Sequence, residues 1–398
     1  MKINLTALSL LCLAASVPLA WRLMQRAMPG DAVSFVRVAT FNVALNRERP
    51  GQLLDELRAG SDQARRIAEI VQRAEIDVLL LCELDRDDAA AAAQVFARQY
   101  LAVPQHGQHA IDFEFSFVPP VNTGEPSGLD FDRDGTVGGA GDAYGYGAFP
   151  GQFGMAILSR HPIVTAAVRT FRELKWSAMP DALRPPGFYP DDVWPQLRLS
   201  SKTHCDVPIQ VLGQRVHLLC SHPTPPVFDG AEDRNGCRNH DEIRFWVDYL
   251  TPDRAGWIVD DKGRGGGLPE GDQFVLLGDL NCDPVDGDAR RDALQALLAH
   301  PRVRDPEPQS EGAAMAATQQ WGSNSAQHGR AALDTGDFDD TPGRGPGNLR
   351  VDYALPSREL HLLGSGVFWP PPQHPGADLV GASDHRLVWV DVGAPAAH

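Results

Sequence analysis

The chain has 398 residues, is 43% hydrophobic and carries a formal net charge of −16. This apolar content suffices for a large buried core, in one big domain or two ordinary ones, and six cysteines are too few for a disulfide scaffold at this length. The acidic charge repels nucleic-acid backbones and no run of Lys or Arg offsets it, which argues against a processive nuclease but not against a metal-assisted one.

The N-terminus begins Met-Lys and continues with an apolar stretch over residues 5–21. This pattern is typical of a signal peptide, although bulky and basic residues at 21–26 stand where a cleavage site is expected. The stretch is short for a full membrane span, and a buried core helix is the structural alternative. We expect residues 1–30 to be a signal peptide or membrane anchor, the protein to be exported to the periplasm or beyond, and residues 31–398 to form one domain.

Seven strand-like runs follow in chain order, and several are continuously apolar, as in strands covered on both faces. They are residues 36–43, 76–83, 154–159, 216–220, 274–278, 350–355 and 386–392. Between the first two, Ser61 as N-cap and apolar residues at helical spacing predict a helix over 64–74.

Two more helices are predicted, one from a capping box of Asn239 and Glu242 through Leu250 and one over 288–300. The segments 117–151 and 301–347 fit neither element type, and we expect them to be functional loops. Together these elements predict an α/β fold with two sheets packed face to face and helices outside.

Polar residues stand where the apolar runs stop. Each of them alone is most simply a turn former, but together they supply the groups that metal-assisted phosphoester chemistry needs. Carboxylates bind Mg²⁺ or Mn²⁺, histidines donate to phosphate oxygens, and an Asp beside a water acts as a base. The residues are Asn42, Glu83, His222, Asp279, Asn281, Asp352, Asp384 and His385.

Five short motifs resemble, in the same order, those of the endonuclease/exonuclease/phosphatase superfamily, which includes deoxyribonucleases, abasic-site endonucleases, sphingomyelinases and inositol polyphosphate 5-phosphatases. They are Phe41-Asn42, Leu81-Cys82-Glu83, Gly278-Asp279-Leu280-Asn281, Val351-Asp352-Tyr353 and Ser383-Asp384-His385. The resemblance spans residues 37–392, and His222 is similar to the second histidine of the deoxyribonuclease and sphingomyelinase branches. It implies a four-layered α/β-sandwich, with two mixed sheets between helices, and a single catalytic domain that we expect to be monomeric.

The resemblance also implies roles for these residues. Glu83 would bind Mg²⁺ or Mn²⁺ with Asn42 beside it, and Asp384 would complete or support that site. His385, oriented by Asp352, would contact the scissile phosphate together with His222. Asp279 would position or deprotonate the attacking water, and Asn281 would hydrogen-bond the pentavalent transition state. A cation and preorganised donors are what such charge development requires.

Two further groups have open interpretations. Asp130, Asp132 and Asp134 match the first half of a calcium loop, but position 141 is Gly141 where the loop needs Glu, so a structural Ca²⁺ site and an acidic turn both remain. Substrate-binding candidates lie in two polar segments whose alternatives are an edge strand and a salt-bridged loop. These candidates are Lys202, His204, Arg234 and Arg238.

The cysteines divide into two kinds. Cys82 and Cys220 sit in apolar runs and are expected to be small buried residues. Cys205 and Cys237 have polar sequence neighbours, and we expect them to pair in an oxidising compartment.

Three functions compete. The first is a metal-dependent phosphodiesterase or phosphatase that acts on a small or lipid-linked phosphoester, which the acidic charge favours. The second is an extracellular endonuclease or deoxyribonuclease. The third is a catalytically silent, calcium-stabilised binding protein on the same fold, against which the complete set of polar residues argues.

Overall fold

The computed structural model describes residues 35–393, so the predicted signal peptide or anchor lies outside the described residues. All seven predicted strands form, with ends shifted by up to two residues. The described strands are β1 (Phe35–Leu45), β2 (Val78–Leu84), β3 (Phe115–Phe117), β4 (Met155–Ser159), β5 (Arg169–Thr170), β6 (Cys205–Val211), β7 (Gln214–Cys220), β8 (Gln273–Asp279), β9 (Gly336–Asp337), β10 (Asn348–Leu349), β11 (Asp352–Pro356), β12 (His361–Val367) and β13 (Val388–Gly393).

Six α-helices are found in the same part of the chain. They are α1 (Gln52–Ala59), α2 (Asp62–Arg73), α3 (Ala91–Phe96), α4 (Arg234–Tyr249), α5 (Asp292–Leu298) and α6 (Glu311–Gln319). The predicted cap of α2 is confirmed, since Ser61 Oγ accepts a hydrogen bond from the Ala64 amide over 3.2 Å. Among the described helices, none combines the length and apolarity that crossing a bilayer requires.

The strands form two large sheets and one small ribbon. The first sheet has the order β12-β13-β1-β2-β4-β3, the second has the order β11-β8-β7-β6-β5, and β9 pairs with β10. In each large sheet one central pair is parallel, β1 with β2 and β7 with β8, and the other pairs are antiparallel. Both sheets are therefore mixed.

Alternating side chains of the strands place the sheets face to face. Val38 of β1, Leu218 of β7 and Val275 of β8 belong to one buried cluster between the sheets. Neighbouring residues point the other way, because successive strand residues face opposite sides. Phe41 packs into a cluster with residues of α2, and Leu219 packs into a cluster with residues of α4. The layers run helix, sheet, sheet, helix, which confirms the predicted four-layered α/β-sandwich.

Two predictions about elements were wrong. α4 begins at Arg234 rather than at Asn239, because the Asn239 side chain is buried and donates to Thr224 O and Leu280 O over 2.8 and 2.9 Å instead of capping. The segment 301–347 is not all loop, since it contains α6, whose first turn is capped by Ser310.

The predicted Cys205–Cys237 disulfide was also wrong, since all five cysteines among the described residues are free thiols. Cys205 is fully buried between the sheets, opposite Cys220 of β7. Cys237 lies on α4 in the outer cluster. The polar sequence neighbours of both cysteines gave no sign of this burial. The two thiols lie in different layers and therefore do not pair. The predicted burial of Cys82 and Cys220 is confirmed.

Candidate active site

The candidate site forms where strands of both sheets end. β1 and β2 are parallel neighbours whose register shifts between Asn42 and Leu45. In the second sheet, Asp352 at the start of β11 pairs with Asp279 at the end of β8. Asn42 Nδ2 donates to Asp279 Oδ2 over 3.0 Å, so this hydrogen bond connects the ends of β1 and β8, one strand from each sheet.

Asp279 is the centre of a buried cluster that includes both predicted histidines. Its Oδ2 lies 3.4 Å from His222 Nε2 and 3.6 Å from His385 Nε2. His385 Nδ1 lies 2.9 Å from Asp352 Oδ2, the arrangement predicted for an oriented imidazole. Ligand atoms of Asp279, Asp352 and His385 all fall within 4.8 Å of one another, close enough to share one ion.

Burial and neighbouring charges shift the pKa values of these groups, and the pKa values of the two histidines move in opposite directions. Burial raises the pKa of Asp279 to about 6, and Asp352 adds to the rise while His385 opposes it. Burial alone would lower the pKa of His385, but the carboxylates of Asp352 and Asp279 outweigh it and raise that pKa to about 10. Burial lowers the pKa of His222 well below its usual range, with Lys202 and His385 adding to the effect. The site thus holds one charged and one neutral imidazole on either side of a carboxylate.

The donor set fits a hard divalent cation. Asp352 Oδ1 is buried without a hydrogen-bond partner and is therefore available as an oxygen ligand. Glu83 at the end of β2 adds a carboxylate whose pKa is raised by burial, and its Oε2 accepts a hydrogen bond from Asn46 over 2.8 Å. Carboxylate and amide oxygens are the ligands that Mg²⁺ and Mn²⁺ prefer.

The predicted residues Lys202 and Asn281 meet at one backbone carbonyl. Asn281 Nδ2 donates to Pro223 O over 3.1 Å, and Lys202 Nζ reaches the same oxygen over 3.5 Å. Lys202 is 6% exposed, and burial lowers its pKa against the opposing charges of Glu242, Glu83 and Asp279. An amide donor and an ammonium therefore lie side by side at the edge of the carboxylate cluster.

The other predicted residues have different surroundings. His204 is buried with Nδ1 at 2.6 Å from Ser200 Oγ and Nε2 at 2.8 Å from Glu242 O, so both of its nitrogens are engaged. Arg234 pairs with Glu232 and lies over the ring of Phe188.

Arg238 and Asp384 complete the set. The Arg238 guanidinium donates to backbone carbonyls, which makes it a brace between segments; these are the carbonyls of Tyr144, Arg198, Leu199 and Ser200. Asp384 is exposed beside the buried His385, and its carbonyl accepts the Asp337 amide over 2.8 Å.

The acidic loop forms a second group of carboxylates. Ligand oxygens of Asp130, Asp132 and Asp134 lie within 4.8 Å of one another. Asp142 does not take the place of the missing Glu, because its Oδ1 accepts the amides of Phe131 and Asp132 and its Oδ2 that of Gly138.

Sequence reasoning missed three residues that support the site. Asn46 contacts Glu83, Thr335 accepts the amides of Val351 and Asp352, and Glu242 binds two loops from α4. Asn46 had a usable signal, since it follows Asn42 by four residues at a strand end. The other two had none, because one lies in a predicted loop and the other was interpreted as part of a helix cap.

The family model described as the Endonuclease/Exonuclease/phosphatase family matches residues 39–385, and the protein belongs to this family. Members of this family are metal-dependent phosphoesterases. The search of curated proteins found no match.

The chain is similar to several solved structures, and the first of them shows the same fold. An endonuclease/exonuclease/phosphatase from Beutenbergia cavernae DSM 12333 is similar with a TM-score of 0.51 and 18% identity, covering 91% of this chain and 72% of that one. A family protein from Leptotrichia buccalis C-1013-b has a TM-score of 0.45 and 14% identity, with 90% and 99% covered. Sphingomyelinase C from Streptomyces griseocarneus has a TM-score of 0.43 and 18% identity, with 91% and 99% covered.

Proposed function

We propose that the protein is a divalent-metal-dependent hydrolase that cleaves a phosphodiester or phosphomonoester by in-line attack of an activated water. The observation that carries this proposal is the position of the Asp279 carboxylate, 3.4 and 3.6 Å from the two histidine Nε2 atoms and bonded to Asn42. A carboxylate between imidazoles suits a group that orients or deprotonates a water.

Each residue of the site has a separate proposed role at the phosphoryl group. His385, held by Asp352, donates from Nε2 to a phosphoryl oxygen as negative charge develops there, and His222 contributes from the other side. Asn281 and Lys202 add an amide donor and an ammonium to the same phosphoryl group. Preorganised donors of this kind stabilise the transition state more than the ground state, which is what accelerates hydrolysis.

Mg²⁺ or Mn²⁺ is the proposed cofactor; Glu83 and Asn42 would hold it, and Asp384 would complete or support that site. When bound, the ion would polarise the phosphoryl group and neutralise the developing charge. A structural Ca²⁺ at the Asp130–Asp134 loop is a separate proposal, supported by the spacing of three carboxylates.

The proposed substrate is a small or lipid-linked phosphoester. The support is electrostatic, since a net charge of −16 disfavours long polyanions. We also propose that the protein is exported, on the strength of the apolar stretch at residues 5–21, which would serve as signal peptide or anchor.

A substrate panel tests the proposal. The purified protein with Mg²⁺, Mn²⁺ or Ca²⁺ is offered DNA, RNA, an aryl phosphodiester, an aryl phosphomonoester and sphingomyelin. We expect hydrolysis of at least one low-molecular-weight or lipid ester, and loss of that activity in Asp279→Asn. No turnover of any ester with any of the metals would refute the proposal.

The same panel addresses the nuclease alternative. A nuclease that neutralises several backbone phosphates loses affinity steeply as salt rises, whereas a single phosphoester is held with a shallow dependence. Efficient DNA cleavage with a steep salt slope would replace the small-ester proposal by the nuclease one.

A further inference from the structure

We propose that Glu242 is a positioning residue whose buried carboxylate ties the Lys202 segment to the His222 segment and keeps the Lys202 ammonium charged beside Asn281. This inference rests on the proposed function for its catalytic consequence, but the contacts that carry it are independent of any substrate. Glu242 lies in α4, outside the strand ends that supply the predicted catalytic residues.

The first contact fixes the residue before Lys202. Glu242 Oε1 accepts the Ser201 amide over 2.6 Å and the Ser201 hydroxyl over 3.0 Å. Both partners are buried, with Ser201 3% and Glu242 1% exposed. Two bonds from one oxygen to one residue restrict the backbone from which the Lys202 side chain departs.

The second contact fixes the segment that follows His222. Glu242 Oε2 accepts the Thr224 amide over 2.7 Å. Between His222 and Thr224 stands Pro223, whose carbonyl receives both Lys202 Nζ and Asn281 Nδ2. One carboxylate thus holds the two backbone segments that together place the ammonium.

Neighbouring residues of α4 extend the same contact face. Asn239, one turn earlier, donates to Thr224 O and to Leu280 O. Trp246, one turn later, donates from Nε1 to Ser221 Oγ over 2.9 Å. Residues three and four apart share one face of a helix, so α4 presents a polar stripe to the loops beneath the site, with Glu242 as its charged member.

Charge gives Glu242 a role that packing alone would not. Lys202 is buried, and its ammonium donates a long hydrogen bond of 3.5 Å to Pro223 O. The groups that oppose the effect of burial on its pKa are, in order, Glu242, Glu83, Asp279 and Cys82. Glu83 and Asp279 belong to the proposed catalytic machinery, where a bound cation would offset their charge. Glu242 is the counter-charge that remains for Lys202 when such a cation is present.

The test observes Lys202 directly. The chain has four lysines, Lys2, Lys175, Lys202 and Lys262, so selective ¹³C labelling of lysine ε-carbons gives four NMR signals, and Lys202→Arg identifies the relevant one. In the wild type we expect this signal to report a charged ammonium at neutral pH. In Glu242→Gln, which keeps the size but removes the charge, we expect its titration midpoint to fall by about one pH unit or more.

Asp248→Asn is the matched control, because Asp248 is another buried acid of α4 but binds Arg254 and Trp257. It should leave the Lys202 midpoint unchanged. Glu242→Asp, which keeps the charge, should restore the midpoint in part. An unchanged Lys202 signal in Glu242→Gln, or a Lys202 already neutral at pH 7 in the wild type, would overturn the proposal, and the wild-type measurement requires no variant to fold.

Kinetics then separates positioning from general stability. On the best substrate of the panel, Glu242→Gln should lower kcat/KM by about tenfold or more, with the alkaline limb of the pH profile moved to lower pH. Equal activity of Glu242→Gln and wild type at all pH values would contradict the catalytic consequence. A protein without esterase activity would refute the proposed function instead, while the NMR result would still decide the role of Glu242.

Discussion

At the scale of single residues, two members of the candidate site have strained backbones. Glu83 has φ of +57° and Asn281 has φ of +51°, in the left-handed region that residues with a Cβ adopt at a cost. Such conformations cost on the order of 1–3 kcal/mol each and persist where the surrounding structure enforces them. Both residues lie where a strand ends at the cluster. The strained backbone directs each side chain toward the cluster.

The two histidines of the cluster allow a direct test. His222→Ala and His385→Ala should each lower kcat by roughly 10²-fold, because each removes one donor at the proposed phosphoryl group. Asp352→Asn should act similarly by misorienting or neutralising His385. Steady-state kinetics is the measurement, and His361→Ala, an exposed histidine of β12, is the control. Near-normal turnover of His222→Ala would show that His222 only terminates its strand.

His204 should make stability depend on pH. Burial lowers its pKa to about 4 in the folded protein, against an ordinary value of 6.5. The unfolded chain therefore binds a proton first as the pH falls, so stability is lost between about pH 6.5 and about pH 4, by up to roughly 3 kcal/mol. Urea unfolding across this range should show a shallower loss in His204→Gln than in the wild type. Parallel curves for both proteins would contradict the folded-state shift.

Residue identities were predictable from the sequence where the residues closed apolar runs, as with Glu83 and Asp279. The surroundings of His204 were not predictable, because its partners are the Ser200 hydroxyl and the carbonyl of Glu242 on a distant helix, which accepts from Nε2. A polar residue near a strand end has the same sequence signature whether it faces the cleft or the helix layer.

At the scale of elements, the segment around Thr335 connects the start of β11 with the residues that precede β13. Thr335 Oγ1 accepts the Asp352 amide at the start of β11 over 2.9 Å, and Thr335 O accepts the Arg386 amide over 2.7 Å. Asp337 pairs with the Arg386 guanidinium over 2.7 Å. This segment therefore fixes the distance between Asp352 and His385.

Thr335→Val should disturb that connection. The amides of Val351 and Asp352 would lose a buried acceptor, which costs about 1–3 kcal/mol, and kcat should fall because Asp352 shifts. Thermal unfolding and kinetics measure the two effects. Thr335→Ser keeps the hydroxyl and should behave like the wild type, and an equally stable and active Thr335→Val would refute the connection.

The acidic loop supports another prediction at this scale. Three carboxylates at close range repel one another unless a cation lies among them, so Ca²⁺ added to the chelated protein should raise Tm by a few degrees. An Asp130→Asn, Asp132→Asn double variant should lose the response. Identical melting curves with and without Ca²⁺ would favour a plain acidic turn.

Elements with an unbroken apolar run or a local cap, such as β8 and α2, could be predicted from the sequence. The start of α4 could not, because Arg234 to Asn239 is polar and the apolar face begins later. Asn239 and Glu242 have the residue types and the spacing of a capping box, but the Asn239 side chain makes tertiary hydrogen bonds instead.

At the scale of the whole molecule, the sandwich brings strand ends from both sheets to one edge. Asn42 and Glu83 come from the first sheet, and Asp279 and Asp352 come from the second. The layers were predictable from alternating and continuous apolar runs, whereas the strand order was not, because it depends on long-range pairing such as β1 with β13.

Metal removal tests the site as a unit. No Cys/His spacing typical of zinc occurs in the sequence, and two acids of the cluster are buried, so exhaustive chelation should abolish hydrolysis and Mg²⁺ or Mn²⁺ should restore it. Activity assays before and after dialysis against a chelator provide the measurement. Full turnover in the chelated protein would rule out the metal-dependent reaction.

The pairing of β1 with β13, from Phe35 with Gly393 to Thr40 with Val388, has a consequence for the nascent chain. Asn42 and Glu83 leave the ribosome first, whereas His385 and β13 follow about 300 residues later, which takes tens of seconds at about 5–20 residues per second. Until β13 arrives, β1 lacks one of its two neighbours and the cluster lacks an imidazole. A truncated or stalled chain that stops before β13 should therefore expose a bare strand edge and be inert toward phosphoesters, so that catalysis begins only after synthesis has passed this strand.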